Sequence, residues 1–136
     1  THKVCGGGIG SNCSSHVAIK NDTVFISCWT SDSTVVNGVY AYDIYNPHTP
    51  KFVYRHDAFR PTSIMVDERN FIYVCDLNSK SIHQLTDSGQ LVTTHTLSSF
   101  PYRILYDDKH GVLYTTSKNC NVITVYRLQY SHQIDS

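Results

Sequence analysis

The stretch RPTSIMVDERNFIYVCD, residues 60–76, is nearly repeated by PYRILYDDKHGVLYTTS, residues 101–117. In both stretches a Pro is followed by an apolar triplet and an Asp, then by a short charged turn and a second apolar run. A fainter copy, HVAIKNDTVFISCW, occupies residues 16–29. Repeats of about 40 residues are typical of propellers, solenoids and trefoils. Internal repetition is therefore the feature that decides the fold class.

The repeat divides a single domain, residues 1–136, into units at about 14–59, 60–100 and 101–136. Each unit consists of short runs rich in Val, Ile, Tyr and Thr, which are typical of strands. Turn sequences such as NDT, DERN, DDKHG and DSGQ separate the runs. About four strands per unit predicts an all-β fold in which each unit is one β-propeller blade. A β-trefoil, which also has three units of this length, is the alternative.

The pattern within a unit also resembles the NHL repeat of six-bladed propellers. It is carried by RPTSIMVD (60–67), IYVCD (72–76) and LTDSGQL (85–91), whereas the first unit has Ser14 in place of the Pro. The resemblance implies three blades in this chain, too few to close a ring. Residues 1–5 are predicted to act as a closing strand for a second copy, so that a homodimer forms a six-bladed propeller. The alternative is a fragment of a longer propeller.

Charge and cysteine content narrow the class of protein. Eleven basic and eleven acidic residues give a net charge of zero, which argues against nucleic acid as a partner. No apolar run approaches the roughly 20 residues that span a membrane, so no membrane insertion is expected. Five cysteines without a CxxC pair favour disulfides and a secreted protein. The disulfide candidates are Cys5, Cys13, Cys28, Cys75 and Cys120, and the glycosylation candidates are Asn21 and Asn12.

No catalytic motif is present, so the chain is not expected to be an enzyme and no cofactor or metal is predicted. The Gly-rich stretch GGGIG, residues 6–10, lacks the Lys-Ser/Thr of a phosphate-binding loop and is interpreted as a connector. Calcium-dependent lactonase propellers are similar in blade pattern, but Asp76 and Asn78 are too few for their metal site. A lactonase-type hydrolase is therefore the least favoured reading. Asp67 and Asp107, which occupy the same position in two units, are interpreted as turn caps.

A repeated, neutral, all-β domain without catalytic groups is more naturally a binding protein, because repetition multiplies a weak site. Sugar sites combine an aromatic face with planar polar side chains. At the predicted blade ends these groups are His16, Trp29, Asp76, Asn78 and Arg103. With its disulfides the chain resembles the small galactose-binding lectins of marine sponges, which implies binding of galactose-containing glycans as a homodimer or higher oligomer. The alternative function is an NHL-like protein-interaction module.

Overall fold

The computed structural model describes residues 13–31, 36–117 and 122–128, except for the side chains of residues 13 and 14. All regular structure in these ranges is β-strand. The strands are β1 (Cys13–Lys20), β2 (Thr23–Thr30), β3 (Gly38–Asp43), β4 (Phe52–Tyr54), β5 (Pro61–Val66), β6 (Ile72–Asp76), β7 (Ser81–Leu85), β8 (Leu91–Thr96), β9 (Pro101–Asp107), β10 (Val112–Ser117) and β11 (Ile123–Arg127). Within the described ranges no helix is long and apolar enough to span a membrane.

The strands form three antiparallel sheets, each made of strands consecutive in the chain. Sheet 1 has the order β1-β2-β3-β4, sheet 2 the order β5-β6-β7-β8, and sheet 3 the order β9-β10-β11. Strand β5 packs against both β1 and β9, so sheet 2 lies between the other two. Three separate sheets placed side by side are incompatible with the barrel of a β-trefoil, and that alternative is rejected. The expectation of four strands per unit holds for sheets 1 and 2, whereas sheet 3 has three strands among the described residues.

The sequence pairs strands into hairpins through residues that tolerate a left-handed backbone. Asn21 and Asp22, with φ of 52° and 63°, form the two-residue turn between β1 and β2, which pair from Lys20↔Thr23 onward. Positive φ at both central positions is the requirement of the type I′ turn, which Asn and Asp meet more easily than other non-Gly residues. Asn21 is exposed in this turn. The other glycosylation candidate, Asn12, lies outside the described residues.

The core has two parts, one where sheet 1 packs on sheet 2 and one where sheet 2 packs on sheet 3. Sheet 2 contributes to both, because successive side chains of a strand point to opposite faces of its sheet. In β6, Ile72 and Val74 pack against sheet 1, whereas Tyr73 and Cys75 pack against sheet 3. All residues of β6 and β7 are consequently buried. The junction of sheets 1 and 2 contains Phe25, Val39, Ala41, Tyr54, Phe59, Ile64, Ile72, Val74 and Leu85. The junction of sheets 2 and 3 contains Tyr73, Cys75, Ile82, Leu97, Ile104 and Leu113.

The cysteines do not all share one role. Cys75 is a free, fully buried thiol in β6, which corrects its prediction as a disulfide candidate. Burial raises the pKa of this thiol, so it behaves as a small apolar core residue. Cys28 is fully buried and disulfide-bonded. The side chains of Cys5, Cys13 and Cys120 lie outside the described part of the chain, as does the predicted closing strand, residues 1–5.

Candidate functional site

The first strands of neighbouring sheets are joined by a repeated side-chain contact. Nδ1 of His16 in β1 accepts hydrogen bonds from the Ser63 hydroxyl (3.0 Å) and from the Ile64 backbone N–H (3.1 Å) in β5. Oγ of Ser63 in turn accepts from the Ile104 N–H in β9 (3.2 Å). His16 and Ser63 occupy equivalent repeat positions, and each accepts from the backbone of the next sheet. The geometry therefore gives His16 an internal, sheet-joining role.

This contact makes the junction of sheets 1 and 2 sensitive to pH. Burial, followed by the nearby charge of Arg103, lowers the pKa of His16 below its ordinary value of 6.5. A proton on Nδ1 would remove both hydrogen bonds that this nitrogen accepts. The unfolded chain therefore takes up the proton first as pH falls. The stabilisation that this contact contributes is full above the ordinary pKa of 6.5 and is lost progressively as pH falls through the lower pKa of the folded state.

We expect the urea midpoint to fall between about pH 7.5 and pH 5, and His16→Gln to weaken that dependence. The Gln side chain keeps an acceptor but does not titrate. His95, whose pKa is also lowered by burial, contributes in the same direction and remains in both proteins. An unchanged pH dependence in His16→Gln would contradict the assignment.

Arg103 occupies the same repeat position in sheet 3 but is exposed. Its guanidinium lies 4.4 Å from the centre of the Tyr102 ring and donates to the Thr62 carbonyl at 3.4 Å. It therefore contacts the sheet before it in the chain. His16 and Arg103 interact electrostatically, but neither lies beside Trp29 and Asn78, which line a separate cleft described below.

The carboxylate of Asp76, at the end of β6, is buried, and both of its oxygens accept hydrogen bonds from the protein. Only 1% of the residue is exposed. Oδ1 accepts from the backbone N–H groups of Arg60 and Asn78, both at 3.1 Å. Oδ2 accepts from the Ser79 hydroxyl at 2.7 Å and from Nε2 of His83 at 3.2 Å. Burial raises the pKa of Asp76, but these four hydrogen bonds outweigh burial and hold it at about 2.

The Asp76 network continues through His83 to Tyr54. The Tyr54 hydroxyl donates to Nδ1 of His83 at 2.8 Å, because Nε2 of the same ring carries the proton given to Asp76. Burial, followed by the charge of Asp76, raises the pKa of Tyr54 to about 12. The chain of groups resembles an acid–base relay in composition. His83 is 1% exposed, however, so the geometry supports a structural role that locks sheet 1 to sheet 2.

Asp76 and Asn78 hold the segment that connects sheet 1 to sheet 2, residues 55–60. The Asn78 amide donates to the Ala58 carbonyl at 2.8 Å, and the Leu77 N–H donates to the Arg60 carbonyl at 3.0 Å. Ala58 has a φ of 53°, a strained value for a residue with a Cβ. These contacts from sheet 2 fix the connecting segment in one conformation.

A cleft of roughly 560 Å³ lies between this connecting segment and the end of β2. The indole of Trp29 forms one side, and the Arg60 guanidinium stacks 4.3 Å from the centre of the indole ring. The remaining lining residues are Val36, Asn37, Arg55, His56, Asp57, Ala58, Phe59 and Asn78. Of the five residues predicted for a binding site, the structure brings Trp29 and Asn78 together here.

The cleft carries polar groups that the described part of the chain leaves free for a ligand. Arg55, His56 and Asp57 are exposed, and neither Arg55 nor Asp57 forms an ion pair among the described residues. Asn37 accepts from the Thr30 N–H through Oδ1, which leaves its amide NH₂ as a donor. Asn78 uses its NH₂ on Ala58, which leaves its Oδ1 as an acceptor. The cleft thus combines a cation, an anion, two amides and an aromatic surface.

Sequence reasoning missed Asn37, Arg55, His56 and Asp57 because they lie in connections and not at matched repeat positions. The signal that could have found them is the run RHDAFR, residues 55–60, which places three charged residues and a His in a short link between strands.

Asp67 and Asp107 are turn caps, as interpreted from the repeat: Oδ1 of Asp67 accepts from the Arg69 N–H and Oδ1 of Asp107 from the Lys109 N–H. No group of three or more metal-ligating side chains occurs within the described residues.

Comparison with solved structures decides the fold class. The WD40 β-propeller domain of Doa1 matches with a TM-score of 0.59 and 13% identity, over 88% of this chain and 51% of that chain. The fold is that of a β-propeller. Sheets 1, 2 and 3 are its blades, and β1, β5 and β9 are the first strand of each blade.

BamB, a second β-propeller protein, agrees with this assignment, and a further solved structure also matches the chain. BamB from Moraxella catarrhalis matches with a TM-score of 0.58 and 14% identity, over 82% of this chain and 42% of that chain. Hydrazine synthase of Kuenenia stuttgartiensis matches with a TM-score of 0.66 and 19% identity, over 82% of this chain and 32% of that chain. The chain thus spans from about a third to about half of the length of these three structures, and the likeness establishes the fold alone. No protein-family model and no curated protein matches the chain.

Proposed function

We propose that this β-propeller chain is a non-catalytic interaction module that binds a polypeptide segment of another protein in the Trp29 cleft. One observation carries the proposal: Arg55 and Asp57 stand exposed and without ion pairs among the described residues, beside an indole, on a segment fixed by Asp76 and Asn78. A fixed segment does not lose conformational entropy when it binds, so its free charges are preorganised for a ligand.

A polypeptide matches these groups better than a neutral ligand does. Arg55 can bind a carboxylate with two parallel hydrogen bonds, and Asp57 can bind a Lys or Arg side chain. The partly buried indole of Trp29 offers apolar surface in the same cleft. The preferred segment is therefore one that carries both an acidic and a basic residue around an apolar side chain.

The test is selection of a random peptide phage library on the immobilised chain, followed by titration of the enriched peptides made by synthesis. We expect Arg55→Gln and Asp57→Asn each to weaken binding by about tenfold, and added salt to weaken it further. Lys109→Gln is the matched control, because it removes one exposed charge from the turn between β9 and β10, and Lys109 does not line the cleft. Peptides that bind the variants as tightly as the unaltered chain would overturn the proposal, as would a library without enrichment.

A second candidate is a lectin for galactose-containing glycans, secreted and stabilised by disulfides. The observation that favours it is the indole of Trp29 in the same cleft as a free amide donor on Asn37 and a free amide oxygen on Asn78. Sugars are held by this combination of an aromatic face and planar polar groups.

Calorimetric titration with methyl β-galactoside, with glucose as control, separates the two candidates. A heat of binding that is seen with the galactoside but not with glucose, and that disappears in Trp29→Ala, supports the lectin. Binding of selected peptides together with the absence of heat from either sugar supports the interaction module. Counting free thiols in denatured protein tests the disulfides that secretion implies, because five free thiols would contradict them.

A further inference from the structure

A second cavity lies at the opposite end of sheets 1 and 2 from the Trp29 cleft. Its walls come from the turns β1–β2, β5–β6 and β7–β8 and from the residue before β4. The Trp29 cleft is instead lined by the end of β2 and by the connections β2–β3, β4–β5 and β6–β7. The second cavity measures roughly 170 Å³. Sites for drug-sized molecules measure about 300–1,000 Å³, so this cavity fits a smaller ligand.

Two lysine side chains line this cavity, and a protein acceptor positions each of them. Lys20, at the end of β1, is partly buried, and its Nζ donates to the backbone carbonyl of Asp67 in sheet 2. Nζ of Lys51 donates to the hydroxyl of Thr23 at 2.9 Å. Both acceptors are neutral, and an ammonium group has three donors. Neither lysine forms an ion pair among the described residues, so both positive charges are available to a ligand.

The β7–β8 turn adds one negative charge to the cavity wall. Asp87 in this turn is exposed and forms no ion pair within the described ranges. Gly89 packs so closely on Phe52 that a Cβ at this position would lie 2.4 Å from a ring atom. The Gly89 N–H also donates to the Thr86 carbonyl at 3.0 Å. These contacts fix the turn, and with it Asp87, against the start of β4.

The rest of the cavity surface is an amide and an apolar floor. Asn70, in the β5–β6 turn, has a φ of 69°, and its backbone N–H donates to the Asp67 carbonyl at 3.1 Å. Phe25 and Val66 form the floor, and only 4% of Phe25 is exposed. The charged groups therefore stand on walls that the fold already holds in place, which lowers the entropy cost of binding.

We propose that this cavity binds a small molecule with two anionic groups and one cationic group, the charge pattern of an acidic α-amino acid. The argument is charge complementarity. Lys20 and Lys51 match two carboxylates, and Asp87 matches an ammonium group. An inorganic anion would pair with the lysines but would be repelled by Asp87, and a neutral sugar would leave all three charges unpaired. This inference does not rest on the peptide site, which lies at the other end of the sheets.

Calorimetric titration with L-glutamate and with glutarate tests the proposal, because glutarate has the same two carboxylates and lacks only the ammonium group. We expect the unaltered chain to bind glutamate about tenfold more tightly than glutarate, since only glutamate can pair with Asp87. Lys51→Gln is expected to weaken the binding of both ligands by about tenfold. Asp87→Asn is expected to abolish the preference for glutamate. Lys109→Gln, in the turn between β9 and β10, is the matched control and keeps both affinities.

The comparison of the two ligands needs no variant. Glutarate that binds as tightly as glutamate would overturn the proposal, as would the absence of binding at about 10 mM of either ligand. A Lys51→Gln protein with unchanged affinity would also overturn it, because the lysine would then not contact the ligand. None of these results changes the outcome of the peptide selection, so the two proposals are tested separately. Circular dichroism establishes that each variant is folded, and Lys51→Met and Asp87→Ser replace any variant that is not.

Discussion

Replacing Asp76 with Ala is expected to lower the free energy of unfolding by about 3–5 kcal/mol. The carboxylate accepts four hydrogen bonds, from His83, Ser79 and the N–H groups of Arg60 and Asn78. Removing it leaves these donors buried or partly buried without an acceptor, and each orphaned donor costs about 1–3 kcal/mol. The loss also frees the connecting segment 55–60, so the same variant should lose ligand binding in the Trp29 cleft.

Urea denaturation followed by circular dichroism measures the change in stability. Asp107→Ala is the control, because Asp107 also ends a strand and caps a turn but is far more exposed and bonds to His110 and Lys109. We expect this control to lose much less stability than Asp76→Ala, because the hydrogen bonds of an exposed carboxylate are replaced by bonds to water. Equal losses in the two variants would contradict the structural role assigned to Asp76.

The lowered pKa of Asp76 also predicts how the stability of the chain depends on pH. Because the folded pKa is about 2, below the ordinary value of 3.8, the carboxylate stabilises the fold at every pH above 3.8. That stabilisation is lost as pH falls from 3.8 through 2, since the unfolded chain binds the proton first. The difference in stability between the unaltered chain and Asp76→Ala should therefore shrink in acid.

Replacing Leu113 with Ala is expected to cost about 2–5 kcal/mol. Leu113 is fully buried in β10, where it packs among Tyr73, Cys75, Ile82 and Ile104 at the junction of sheets 2 and 3. The cost combines the lost burial of the side chain with the cavity that the neighbours cannot fill.

Leu91→Ala is the control for Leu113→Ala, because it removes the same atoms from a residue that is 44% exposed in β8. We expect it to cost less than about 1 kcal/mol. A small loss in Leu113→Ala, measured by the same urea titration, would mean that sheet 3 does not pack on sheet 2 as described.

Much of the fold could be predicted from the sequence because its determinants are local. The alternation of apolar and polar residues marks the strands, and Asn21-Asp22 is a turn that accepts positive φ. The repeat between residues 60–76 and 101–117 then places equivalent strands in equivalent sheets. Asp67 and Asp107 could be interpreted as turn caps because they bond within their own hairpins.

The binding site could be predicted only in part, because the repeat does not show which side chains remain free. Asp76 at the end of β6 and His16 within β1 were both predicted to bind a ligand, yet their polar atoms form hydrogen bonds within the protein. Arg55 and Asp57 lie in a connection whose conformation is set by Asp76 and Asn78, distant in the sequence. No local pattern indicates that contact.

The sequence by itself determined that this chain is a repeated all-β domain with hairpins at known positions, since strand period and turn chemistry act between near neighbours. Only the tertiary structure decided which polar groups face solvent, because burial depends on the stacking of one sheet on the next. It placed Trp29 beside Arg55, Asp57 and Asn78 in one cleft.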